Sequence, residues 1–205
     1  MESFQQILDC GVTSWIPRMG DSTAWGWVMV VLYILSAFIA GRVAFRRPFP
    51  LRSRTRESFF WACLCVGLGF LAINKQLDLQ TLSTALARCT AVAQGWYDDR
   101  RAIQVAVILG LGLFAVLLVI ASVVLLRRTM RRSLLPILGA GFVVGFVMIR
   151  AVGFYQIDSL IGARLPPALG SVSVNFLLEA PGPLLILLTG IWLLRQDRRN
   201  VHSAT

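Results

Sequence analysis

The sequence predicts an all-α protein, a polytopic membrane bundle of five transmembrane helices with amphipathic helices on its outer side. Of the 205 residues, 57% are hydrophobic and only 15% are charged, whereas about a quarter of the residues in a soluble domain are charged. Apolar runs recur along the chain, and each is long enough to cross about 30 Å of hydrocarbon as a helix. Between these runs the charged residues are mostly arginines in short clusters. These observations exclude a soluble globular domain.

The five predicted spans cover residues 23–43, 59–77, 102–126, 134–154 and 172–194. After the second span, Leu79, Leu82 and Leu86 recur at helical spacing, which predicts an amphipathic interfacial helix over about 79–97. The stretch before residue 23 lacks the features of a signal peptide, because its first basic residue is Arg18. We expect a short amphipathic segment there too, and a single membrane domain over 1–205.

Small surfaces in the second, third and fourth predicted spans are offered by several glycines: Gly67, Gly69, Gly110, Gly112, Gly139, Gly141 and Gly145. Small residues let transmembrane helices approach each other closely. We therefore expect these glycines to serve helix packing.

The basic residues are distributed unevenly between the two sides of the membrane. The chain has twenty basic and ten acidic residues, and nineteen of the basic ones are arginines. Thirteen fall in the first and third loops and the C-terminal tail: Arg42, Arg46, Arg47, Arg52, Arg54, Arg56, Arg127, Arg128, Arg131, Arg132, Arg195, Arg198 and Arg199. The positive-inside rule predicts a bacterial inner-membrane protein with an outside N-terminus and a cytoplasmic C-terminus. Because the membrane topology accounts for the net positive charge of the chain, we expect no nucleic-acid partner.

Several chemistries lack the residues that they need. The one histidine, His202, lies at the C-terminal end, so a His-based metal site in the membrane and a Ser-His-Asp or Cys-His pair are excluded. Cys63 and Cys65 do not have the spacing of a zinc site. Cys10 and Cys89 are both predicted outside, where a disulfide can persist, but the sequence leaves their pairing open and we favour unpaired thiols. We expect no metal, no cofactor and no catalytic residue.

Polar residues interrupt the apolar runs toward the outer side of the second, fourth and fifth spans. The candidate ligand-binding residues are Asn74, Lys75, Asp78, Arg150, Tyr155, Asp158, Asn175 and Glu179. An ionisable group in hydrocarbon costs at least about 2.5–3.5 kcal/mol, so such residues are functional candidates. They also have structural interpretations, because Lys75 and Arg150 can extend to the head groups and the aspartates can cap helix ends.

Glu179 precedes the sequence Ala180-Pro181-Gly182-Pro183. A proline inside a helix removes a backbone hydrogen bond, so the fifth span is predicted to be kinked or broken there. Broken helices beside ionisable residues are typical of ligand and ion sites in membranes. Since Arg150 and Glu179 are predicted at similar depths, we expect them to pair, with Lys75 left for a ligand.

Three segments of the chain resemble a family of uncharacterised bacterial multipass inner-membrane proteins. They are 71–81 (LAINKQLDLQT), 95–97 (GWY) before Arg100 and Arg101, and 150–158 (RAVGFYQID). In that family two histidines often stand where this chain has Tyr155 and Gln156, a departure that removes any metal or proton-relay role of those histidines. The resemblance spans about 90 residues and implies no known activity, only that 71–81 and 150–158 belong to one site.

The predicted function is to bind a polar or anionic ligand, such as a lipid head group, in an intramembrane polar pocket that opens outward. An alternative is a non-catalytic subunit of a larger membrane complex, which would dock through its glycine-lined faces. A third hypothesis is an intramembrane enzyme that uses Asp78, Asp158 and Glu179 as acid or base. It is the weakest of the three, because no nucleophile or metal set accompanies these carboxylates.

Overall fold

The computed structural model describes residues 2–14, 24–77, 79–95, 100–152 and 174–202. These residues form eight α-helices and no strand, which confirms the predicted all-α class. The helices are α1 (Glu2–Ser14), α2 (Ala24–Arg46), α3 (Arg54–Leu77), α4 (Leu79–Ala93), α5 (Arg100–Leu126), α6 (Met130–Val152), α7 (Val174–Glu179) and α8 (Pro181–His202).

Four helices are long and apolar enough to cross a membrane, and they confirm a multipass membrane protein. They are α2, α3, the part of α5 from Val105 and the part of α6 up to Arg150. They match the first four predicted spans, although α3 begins at Arg54 rather than at residue 59. The helix is longer than its apolar run because the polar residues from Arg54 to Ser58 continue it.

The predicted fifth span is divided into two helices, so the structure does not confirm a count of five spans. α7 ends at Glu179 and α8 begins at Pro181, as the prolines predict. Pro181 and Pro183 have no backbone N–H, so the carbonyls of Leu177 and Glu179 lose their helical donors. Bonds from Ala180 N–H to the Phe176 carbonyl (2.9 Å) and from Leu184 N–H to the Ala180 carbonyl (3.1 Å) keep the two helices joined.

α2 lies at the centre of the bundle and packs against α3, α7 and α8. α8 also packs against α6, and α5 packs mainly against α6. The well-buried side chains of the core include Met29 and Tyr33 of α2, Trp61 of α3, Leu126 of α5 and Ile186 of α8. The core therefore involves α5 as well as α2, α3 and α8.

α5 presents most of its surface outside the bundle. Its membrane-length segment has a mean hydropathy of 3.0, and only 6% of its most apolar window is buried. Leu109 and Leu113 are among its exposed side chains. A helix that is apolar all round and poorly covered by protein is suited to contact with lipid.

Fewer of these glycines lie at helix–helix contacts than the sequence predicts. A Cβ atom at Gly139 of α6 would lie 2.8 Å from the Gly182 carbonyl oxygen of α8, so this glycine permits the close approach of two helices. By contrast, a Cβ atom at Gly67, Gly69 or Gly141 would meet no atom within 4 Å among the described residues. A count of glycines in a span does not show which helix face carries the contact.

α1 and α4 form a pair at the end of the bundle where α3 ends. α4 is the amphipathic helix predicted after the second span, and it ends at Ala93 rather than near residue 97. A Cβ atom at Gly11 of α1 would overlap the Leu86 side chain of α4, so the two helices are in close contact. Cys10 and Cys89 form a disulfide between them. The preference for unpaired thiols was therefore wrong, because the spacing of two distant cysteines does not show that their helices meet.

Denatured protein is expected to expose two thiols before reduction, those of Cys63 and Cys65, and four after it. Mass spectrometry of maleimide adducts measures this number. Cys10→Ser should free Cys89 and raise the unreduced count to three, whereas the control Cys63→Ser should lower it to one. Four reactive thiols in unreduced wild-type protein would contradict the disulfide.

Candidate functional site

A buried carboxylate joins three helices at the break between α7 and α8. The Glu179 side chain is 4% exposed, and its Oε2 atom lies 2.6 Å from the Lys75 Nζ atom of α3. The Tyr33 hydroxyl of α2 donates a hydrogen bond of 3.0 Å to the other oxygen, Oε1. Both carboxylate oxygens thus have a partner. We call Tyr33, Lys75 and Glu179 the polar cluster.

The local sequence places each member of the polar cluster. Glu179 is the last residue of α7, directly before the prolines that end the helix. Lys75 is the third residue from the end of α3, so its long side chain can reach across to α7. Tyr33 lies on the buried face of α2. Because these residues are far apart in sequence, the cluster exists only when α2, α3 and α7 are assembled.

Two further contacts fix the broken segment against α2. The rings of Trp25 and Phe176 lie 4.8 Å apart between centroids in a tilted arrangement. The Ser36 hydroxyl is fully buried, and its one proton lies within hydrogen-bond range of two carbonyl oxygens, that of Pro183 at 3.0 Å and that of Leu32 at 2.7 Å. The Ser36 contact therefore joins α2 to the first turn of α8.

The structure corrects the predicted pairing of Glu179. We expected Arg150 as its partner and Lys75 left for a ligand, but the ion-pair contact of Glu179 is with Lys75. Similar depth did not identify the partner, because depth does not say which way each side chain faces around its helix. Arg150 lies within electrostatic range of the Tyr33 hydroxyl. It therefore remains close to the polar cluster.

The structure describes only some of the other candidate residues. Asn74 is half-buried on α3, next to Lys75. Asn175 lies in α7, but its side chain is outside the described residues, as are Asp78, Tyr155 and Asp158 as a whole. The structure thus brings together Lys75 and Glu179 from the predicted set. It adds Tyr33, which we overlooked because a tyrosine in an apolar run looks like any other aromatic core residue.

A second buried ion pair lies at the opposite end of α3. Glu57 is 2% exposed, and its Oε1 atom lies 2.8 Å from an Arg132 nitrogen of α6. The Arg132 guanidinium also lies 5.5 Å from the centre of the Phe49 ring, a cation–π geometry. From the sequence, we counted Arg132 among the basic residues that set the topology and did not single out Glu57. Glu57 is an acidic residue directly after the cluster of Arg52, Arg54 and Arg56. That position could have indicated that Glu57 forms an ion pair.

The described residues contain no group of three or more histidine, cysteine, aspartate or glutamate side chains that could hold a metal ion. Comparisons with known protein families, curated proteins and solved structures found no match. The resemblance to a family of bacterial multipass proteins therefore stays a prediction. The geometry of the polar cluster therefore carries the functional argument.

Arg132→Ala should lower the stability of the purified protein, because it leaves the buried Glu57 carboxylate without its cation. Removal of one partner of a buried pair costs about 3–5 kcal/mol. The control Arg131→Ala removes an exposed charge one residue away and should change stability by about 0.5 kcal/mol or less. Thermal unfolding in detergent measures both, and equal losses in the two variants would show that the Glu57 contact is not stabilising.

Lys75→Met and Glu179→Gln should each lower the unfolding temperature, since each leaves one charge of the polar cluster uncompensated. The double variant should recover part of the loss, because residues in direct contact are energetically coupled. Tyr33→Phe removes one hydrogen bond but keeps the ion pair, so its loss should be smaller, about 1–3 kcal/mol. Strictly additive losses for Lys75→Met and Glu179→Gln would refute the pairing.

Proposed function

We propose that the chain is a five-span protein of a bacterial inner membrane that binds a polar or anionic group, such as a lipid head group, through the polar cluster. The observation that carries the proposal is the burial and ion pairing of the Lys75 side chain. The side chain is 11% exposed and pairs with a buried carboxylate beside a helix break. Intramembrane ionisable residues beside broken helices mark ligand sites.

Two independent features support an outside location for the polar cluster. The Cys10–Cys89 disulfide lies at the end of the bundle where α3 ends. α3 ends at Leu77, two residues after Lys75. Disulfides persist in oxidising compartments, which for an inner membrane means the outer side. The arginine clusters lie at the other end of the helices, and they favour the cytoplasm. Both features support an outside N-terminus and a cytoplasmic C-terminus.

Contacts of α7 and α8 with α3 support a fifth crossing. Glu179 meets Lys75 near one end of α3. A Cβ atom at Gly190 of α8 would lie 3.4 Å from the Trp61 ring, near the other end. Lys75 and Trp61 are fourteen residues apart, about 21 Å along a helix. The two contacts of the broken segment with α3 are therefore separated by much of the hydrocarbon thickness, which supports the proposal of a fifth crossing.

The chemistry of Lys75 suits an anion with several oxygens. A lysine ammonium has three N–H donors, and in the described part of the chain Glu179 accepts from one of them. The two others can bind the oxygens of a phosphate. Because Tyr33 also holds Glu179, the carboxylate is well satisfied, which favours a positioning role for it over a role as catalytic acid or base.

The second candidate function is a non-catalytic subunit of a membrane complex. The exposed apolar surface of α5 favours it, since a partner helix could cover the surface that the bundle leaves open. Lipid covers such a surface equally well. A protein that copurifies in fixed stoichiometry under mild detergent would support the subunit, and a retained lipid would support the binding protein.

Native mass spectrometry of purified protein, titrated with phosphatidylglycerol or phosphatidylcholine, tests the binding proposal. Wild-type protein should prefer phosphatidylglycerol. Lys75→Gln should weaken that binding about tenfold or more, because a hydrogen bond to a charged group contributes about 1.5–3 kcal/mol. The control Arg88→Gln removes an exposed positive charge from α4 and should leave the binding unchanged.

The double variant Lys75→Gln/Glu179→Gln keeps the test valid if Lys75→Gln alone unfolds, because it leaves no uncompensated charge in the cluster. It too should bind phosphatidylglycerol weakly. Wild-type affinity in either folded variant would overturn the proposal, as would equal affinity of wild-type protein for the two lipids.

A further inference from the structure

Among the large hydrophobic side chains of the described residues, the two most exposed lie beside one loop. The loop covers residues 47–53, between α2 and α3. Phe45, in the last turn of α2, is 88% exposed, and Leu51, within the loop, is 82% exposed. Because α2 and α3 are membrane-length helices, the loop that joins them lies at the membrane surface.

The same part of the chain carries a surplus of positive charge. Its arginines are all exposed, and they are Arg42, Arg46, Arg47, Arg52, Arg54 and Arg56. The one acidic residue between positions 42 and 58 is Glu57. Glu57 is buried and already pairs with Arg132 of α6. It therefore does not neutralise the exposed arginines of the loop.

Several contacts hold the loop against the bundle. Phe49 is buried, and the Arg132 guanidinium lies 5.5 Å from the centre of its ring. The Arg54 Nε–H donates to the Phe49 carbonyl at 3.4 Å, and the Arg54 backbone N–H donates to the Pro50 carbonyl at 2.9 Å. The positive-inside rule depends on charge alone. It accounts neither for a loop held in place nor for the exposed apolar side chains on it.

A surface of anionic phospholipids matches both features of the loop. Arginine guanidinium groups bind phosphate oxygens through paired N–H donors, and apolar side chains at a membrane surface insert beneath the head groups. Clusters of about four to eight basic residues directly beside a transmembrane helix are typical of anionic-lipid binding. A nucleic acid matches the charge, but it offers no apolar layer for Phe45 and Leu51.

We propose that the segment 42–56 binds the phosphate groups of anionic phospholipids in the leaflet that it meets, with Phe45 and Leu51 inserted among the lipids. Arg46 directly follows Phe45, and Arg52 directly follows Leu51, so each apolar side chain has a phosphate-binding group beside it. The segment lies at the opposite end of α3 from the polar cluster. The inference therefore goes beyond the proposed function and does not depend on it.

Photo-crosslinking from position 51 tests the inference at the place where the lipid should lie. The photoreactive residue p-benzoylphenylalanine replaces Leu51, and the protein is irradiated in bilayers of equal phosphatidylglycerol and phosphatidylcholine with identical chains. Mass spectrometry of the adducts should show phosphatidylglycerol favoured about fivefold or more, the effect of about one arginine near an anionic surface. The control places the same residue at Leu109, an exposed position of α5, where the adducts should follow the bulk ratio. Equal ratios at the two positions would overturn the inference.

Charge variants show whether the arginines cause the preference. Arg46→Gln/Arg47→Gln/Arg52→Gln should abolish it, whereas lysine at the same three positions should keep it. A preference that survives the glutamine variant would overturn the inference, as would one that both variants lose, because charge would then not be its cause. Lys75→Gln should leave the preference at position 51 unchanged, and its loss there would show that the lipid binds through the polar cluster instead. Crosslinks to a second protein chain in place of lipid would also overturn the inference.

Discussion

The burial of the Glu179 carboxylate is the constraint on which the structure around the break between α7 and α8 depends. A carboxylate withdrawn from water must be paired and hydrogen-bonded, and Lys75 and Tyr33 supply these partners from two other helices. Glu179 meets them from the last residue of α7. The helix break, the ion pair and the packing of α2 against α3 are therefore parts of one arrangement.

α3 is held by an ion pair near each of its ends. Glu57 pairs with Arg132 of α6 at one end, and Lys75 pairs with Glu179 at the other. The two α3 residues are eighteen positions apart, about 27 Å along a helix and close to the hydrocarbon thickness. Because hydrophobic burial gives little driving force between helices in lipid, such polar contacts contribute strongly to the choice of helix partners. They fix α3 against α6 and α7 by specific chemistry.

Hydropathy and proline chemistry predicted the fold class, the four of five predicted spans that are confirmed and the break before Pro181, because each depends on residues close together in sequence. The partner of Glu179 could not be predicted, since the depth of a residue says nothing about its direction around the helix axis. The Cys10 disulfide was missed for a related reason, because it depends on how two separate helices meet. Tyr33 contacts Glu179 through its hydroxyl group, and the hydropathy pattern gives no sign of such a contact.

The chain contains a single lysine, so labelling with nitrogen-15 lysine places one side-chain amine signal in the protein. Solid-state NMR in lipid bilayers can then measure the dipolar coupling between this nitrogen and carbon-13-labelled glutamate carboxyl carbons. The 2.6 Å contact between Lys75 and Glu179 predicts strong dephasing that disappears in Glu179→Gln. No dephasing in the wild type, or unchanged dephasing in Glu179→Gln, would contradict the account.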